Sequence, residues 1–168
     1  MAQYLLRRLI QAVPILIGVS MLNGPRPARL ETLVVGDCLY ARTTASTAIG
    51  AGGRPIGEPL EVEAIIAAGG AEYAACDSSH GHEVASIVDV ADVVAVAASR
   101  GALRVAVQSS CDAAFLGYVG RSVDGSELET FVVLPTESQF VGGASTAVCL
   151  VARRDGQWLS GPARGSGR

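Results

Sequence analysis

The densest chemistry in the chain lies in residues 76–84, Cys76-Asp77-Ser78-Ser79-His80-Gly81-His82-Glu83-Val84, taken together with Gly36-Asp37-Cys38 upstream. The first eight of those nine residues carry one thiol, two imidazoles and two carboxylates, and they include both histidines of the chain. Three chemistries use such groups. A metal centre would take Cys76, His80 and His82, with Asp37 or Glu83, as mixed sulfur, nitrogen and oxygen ligands. A Cys–His nucleophile would need a free thiolate at Cys76 and a third group to orient the imidazole. A Ser–His–acid hydrolase would need its serine on a tight turn, and Gly143-Ala144-Ser145-Thr146 lacks the second glycine of that motif.

The spacing favours a structural reading. His80 and His82 alternate about Gly81, so an extended backbone points them to opposite faces. An oxidised Cys76 would neither ligate nor attack. On this reading His80 bonds backbone beside a bridge at Cys76, His82 sits at the surface, and the corner of residues 76–83 faces outward with no buried polar cluster. No catalytic residue, metal ligand or cofactor is assigned.

The cysteines support it. Cys38, Cys76, Cys111 and Cys149 are even in number, widely spaced and free of any C-x-x-C, a pattern that suits disulfides in an exported chain better than a zinc knuckle. Four cysteines allow three pairings. Cys38–Cys76 with Cys111–Cys149 joins helix or turn positions to strands next along the chain and leaves both loops unthreaded.

The elements that must position these groups follow from composition and period. The chain has 168 residues, 49% of them hydrophobic but 5% aromatic, so its core is built from Ala, Val, Leu and Ile. All 13 basic residues are arginine and the net charge is −3. An acidic chain without a basic stripe is unsuited to nucleic acid. Residues 1–22, with Arg7-Arg8 before an apolar run, read as a signal peptide or signal anchor forming a hydrophobic helix. Residues 23–32 read as a Pro/Arg linker, and the folded domain is expected over 33–165. Strands are expected at 33–35, 60–65, 83–90 and 128–134, with Val84, Ser86, Val88 and Val90 sharing one face of the third. Residues 43–57 and 67–75 read as loops. Residues 102–118 form the main helix, because Leu103, Val107, Cys111, Ala114, Phe115 and Tyr118 make one apolar stripe that Gly120 can close. Residues 147–152 and Trp158-Leu159 suggest a terminal hairpin, followed by a frayed seven-residue tail. The fold class is therefore α+β: a small disulfide-stapled domain with a mainly antiparallel sheet.

Two resemblances add to this. Gly36-Asp37-Cys38, Cys76 with His80 and Glu83-Val84, Cys111 with Tyr118-Val119-Gly120, Pro135-Thr136 with Gln139, Cys149 and Leu159-Ser160-Gly161 together resemble the septum-formation domain family of actinobacteria. The chain departs from that pattern at Ser79, where proline is usual, and at Phe140, where tryptophan is. The resemblance implies a secreted or membrane-tethered α+β domain with a cell-envelope role linked to septum formation and cell division, and carries over no catalytic residue; the favoured reading is a non-enzymatic domain that binds an envelope protein or wall component. The resemblance also marks Asp37, His80, Glu83, Pro135 and Gln139 as recognition residues. Residues 4–14 separately resemble the first membrane segment of dipeptide/oligopeptide transporter permeases, which leaves a transporter fragment as an alternative.

Overall fold

The computed structural model describes residues 26–41, 65–66, 70–91 and 99–168. Residues 1–25, the loop expected at 43–57 and most of the strand expected at 60–65 lie outside them. Six strands form one antiparallel sheet in the order β1-β3-β2-β5-β7-β6: β1 (Pro27–Ala28), β2 (Cys38–Ala41), β3 (Ala71–Ala74), β5 (His82–Asp89), β6 (Leu128–Val133) and β7 (Thr146–Arg153). A two-stranded sheet pairs β4 (Ser79–His80) with β8 (Leu159–Ser160). The helices are α1 (Arg100–Val119) and α2 (Glu137–Val141).

The β7 strand explains the architecture. Its six residues 147–152 are all buried, so it is covered on both faces and reads as an apolar run. Val148, Leu150 and Ala152 pack with Leu39, Val84, Phe131 and Val133 on one face. Ala147, Cys149 and Val151 face the side carrying the α1 stripe of Leu103, Val107, Cys111 and Phe115. Each of the valine, leucine and phenylalanine side chains taken from water stabilises the fold by about 1.5–3 kcal/mol. The helix starts where the Ser99 hydroxyl accepts the Ala102 N–H and stops at Gly120, whose φ of 88° an L side chain would resist. The open edge beyond β6 is blunted by arginines, since Arg104 donates to the Val132 carbonyl and Arg154 to that of Leu128. Disulfides join Cys38 to Cys76 and Cys111 to Cys149, each across 38 residues.

Several expectations are corrected. Residues 26–32 are part of the fold and not a linker: Ala28 pairs with Ala71 in the sheet, and Ala28, Leu30 and Leu33 enter the core. Residues 33–35 form no strand: they lead into the turn at 34–37, where the Asp37 carboxylate accepts the Val34 N–H and Val34 and Val35 stay exposed. Within the strand expected at 60–65, Ile65 is helical. The strand β3 lies inside the stretch read as a loop; its alanines give no periodic signal, and two neighbouring strands hold it by backbone pairing. A register shift between Val84 and Ser86 moves Val88 and Val90 to the helix side while Val84 stays on the other, so the four do not share a face. The expected terminal hairpin does not form, since Leu159 pairs with His80 instead. The tail is docked: Gly165 and Gly167 donate to the carbonyls of Tyr118 and Val119 at 2.8 and 2.9 Å.

Cys111→Ala should lower unfolding free energy by about 3–4 kcal/mol, from the lost 38-residue loop closure. Denaturant titration beside the wild type measures it.

Candidate functional site

The chemistry-bearing stretch is split between two sheets. Ser79 and His80 pair with β8, Gly81 crosses over with its N–H on the Leu39 carbonyl at 3.0 Å, and His82 begins β5. Glu83 lies opposite Cys38 on β2 and Val151 on β7. This places a carboxylate at the centre of the fold, 1% exposed.

Donors from three distant segments meet it. The Tyr118 hydroxyl, on the last turn of α1, donates to Oε1. The Ala163 N–H, from the C-terminal tail, donates to Oε2 at 2.6 Å. His80 Nε2 stands 3.6 Å from the same oxygen, beyond hydrogen-bond range. Burial alone would raise the Glu83 carboxyl. The His80 imidazole, the Tyr118 hydroxyl and the Ala163 N–H together outweigh that and hold it below its ordinary value. Burial and the adjacent carboxylate push the Tyr118 phenol up, and the Arg164 guanidinium, 5.2 Å over its ring, opposes this in part.

The two histidines have different surroundings. His80 Nδ1 lies 2.8 Å from the Ser78 carbonyl. His82 faces the other side of the sheet with its ring edge-on to Phe131 at 5.8 Å. It is 1% exposed, and neither ring nitrogen has a hydrogen-bond partner among the described residues. The expectation of a surface His82 is therefore overturned: its strand pairs with β2 and puts the ring into the core containing Leu39 and Phe131. Desolvation, with the nearby His80 second, lowers its pKa from 6.5 to about 4.

The outward-facing corner is overturned as well. Asp77, Ser78 and Ser79 are exposed, but His80 and Glu83 form a buried polar cluster that cross-strand pairing pulls inside. The other residues marked for recognition have structural partners. The Asp37 carboxylate closes the turn at 34–37. The Pro135 carbonyl accepts from Arg100 at 2.7 Å. Gln139 caps α2, exchanging hydrogen bonds with Thr136. It also lines an open recess of about 240 Å³ with Leu30, Glu31 and Thr146. As for metal ligands, Cys76 is bridged and His82 points away from His80, so the set Cys76, His80 and His82 does not converge. Sequence reasoning missed Tyr118 and Ala163 as members of the cluster. A tyrosine ending an apolar stripe is a usable signal, because its buried hydroxyl needs a partner; a backbone N–H gives none.

A family model described as septum formation matches residues 58–165, more than half of the chain and all of the buried cluster. No curated protein and no solved structure matches. Nothing found supports the likeness of residues 4–14 to transporter permeases.

The lowered His82 pKa has a consequence in acid. A base held neutral by the fold contributes stability that is complete above pH 6.5 and is lost as pH falls from 6.5 toward about 4. The full loss is about 3 kcal/mol. His82→Phe should flatten this slope, which denaturant titrations between pH 7 and 4 would measure; an unchanged slope would place the titrating group elsewhere.

Proposed function

The chain belongs to the septum-formation family, and on that premise we propose that it is a non-enzymatic domain of the cell envelope. It acts outside the cytoplasm in cell division by presenting a rigid surface to a protein or cell-wall partner. The observation that carries this reading is the sealing of the histidine–carboxylate cluster found among the described residues. His80 is 0% and Glu83 1% exposed, and the hydrogen-bonding oxygens of the carboxylate are taken by Tyr118 and Ala163. A general acid or base must come within hydrogen-bond reach of its substrate, and this pair is occupied in holding the fold together.

The two disulfides favour an oxidising compartment. Residues 1–22 suit an export signal or a tether by their charge and apolar run. Rigidity at the surface follows from the same corner. Exposed Val34 and Val35 adjoin the exposed residues 77–79, because the Gly36 carbonyl lies against the Cys76 sulfur at 3.4 Å. A bridge thus fixes an apolar tip beside a polar loop, a pre-ordered surface that loses little entropy on binding.

The test combines place with oxidation state. An export-compatible fluorescent fusion should concentrate at the division septum, and the intact protein should gain four hydrogens on reduction of its two bridges. A diffuse cytoplasmic signal, with all four thiols alkylated in the absence of reductant, would overturn the reading.

A further inference from the structure

The corner that holds Cys38 brings three potential metal ligands together. Cys38 Sγ, a ring nitrogen of His80 and a carboxylate oxygen of Glu83 all lie within 4.8 Å of one another, and all three residues are buried. Cys38 and Glu83 are cross-strand partners, which fixes their spacing. The Ser78 carbonyl accepts only, so it engages His80 through Nδ1–H and leaves Nε2 turned toward the cluster. Nε2 is fully buried, without a hydrogen-bond partner, and 3.6 Å from Glu83. Sulfur, imidazole nitrogen and carboxylate oxygen are the donor set of a zinc-type site. With the bridge closed, Cys38 offers a disulfide sulfur and no thiolate, and it is the thiolate that ligates.

We propose that the Cys38–Cys76 bridge and a borderline-soft divalent cation of the Zn²⁺ type compete for the Cys38 sulfur. Opened by a dithiol, the corner becomes a buried cation site. Its ligands are the Cys38 thiolate, His80 Nε2 and the Glu83 carboxylate, with the Cys76 thiolate released beside them as a fourth. The step balances: the S–S bond takes two electrons and two protons from the dithiol, which closes to a cyclic disulfide. The cation then displaces the thiol protons to solvent. Tetrahedral bonds of about 2.0–2.3 Å put donors about 3.3–3.8 Å apart; His80 Nε2 and Glu83 Oε2 already lie 3.6 Å apart, and the remaining pairs, within 4.8 Å, must draw in by at most about 1 Å. Loss of the S–S bond frees that motion. The order of opening is set by access, since Cys76 is half-buried whereas Cys111 and Cys149 are both 0% exposed.

The test uses the full chain, treated anaerobically with limiting dithiol, freed of reductant and titrated with Co²⁺. The reduced protein should bind one Co²⁺ per chain with sulfur-to-cobalt charge-transfer absorption, and the oxidised protein should show none. His80→Gln should weaken binding at least about ten-fold. Absence of the absorption in the reduced wild type, or undiminished binding by folded His80→Gln, would overturn the proposal. A measurement on the wild type alone covers a variant that fails to fold. Zn²⁺ should slow alkylation of Cys38 and Cys76 in the reduced protein; equal rates with and without Zn²⁺ would overturn the proposal.

Discussion

Glu83 sets the terms on which this domain folds. A carboxylate at 1% exposure in a core of valine, leucine and alanine is tolerated only when its oxygens are met by donors. Those donors come from the end of the helix and from the tail, and the short sheet brings the His80 ring to 3.6 Å from the same carboxylate. Removing any one leaves a buried charge underpaired, which costs far more than a surface contact would. The helix, the tail and the second sheet therefore have one position in which the charge is satisfied. The same three elements also pack apolar side chains beside the carboxylate: Phe115, Val119, Leu159 and Ala163 share one buried cluster with Ala85 and Val151.

The disulfides act at the two flanks of this cluster. Cys111–Cys149 ties the apolar stripe of α1 to the doubly covered strand β7, on the face away from Phe131. Cys38–Cys76 ties the strand opposite Glu83 to the loop that leads into His80. Both bridges restrict the unfolded chain, but the second also sets the entry angle of the segment bearing the histidines. Beyond that bridge the chain must supply an imidazole to one face and another to the opposite face within three residues, which Gly81 permits as the crossing point between the sheets.

What could be read from the sequence was whatever carried a strong local signal. The main helix is legible through its stripe and Gly120, the strand expected at 128–134 through its apolar run, and the family likeness through the cysteine neighbourhoods. Strand β3 was hidden because Ala71, Ala74 and their neighbours are held by backbone pairing from both sides and need no hydrophobic alternation. The bulge after Val84 broke a clean two-residue period, so face assignments beyond it inverted. His82 was misplaced because a histidine after glycine looks solvent-facing until the strand opposite is known. The tail's Gly, Arg and Ser composition gives no sign of docking. What docks it is backbone: the N–H groups of Ala163, Gly165 and Gly167 find Glu83, Tyr118 and Val119. Long-range pairing of that kind has no pattern in a single sequence.

The central claim, that a buried carboxylate organises the fold and that the C-terminal tail completes its shell, is tested most directly by native-state hydrogen exchange at the Ala163, Gly165 and Gly167 amides. They should be protected to nearly the level of the β7 amides, because their opening would strip Glu83 and α1 of partners. Exchange at the rate of an unstructured peptide, with β7 still fully protected, would show that the tail is dispensable and contradict the account.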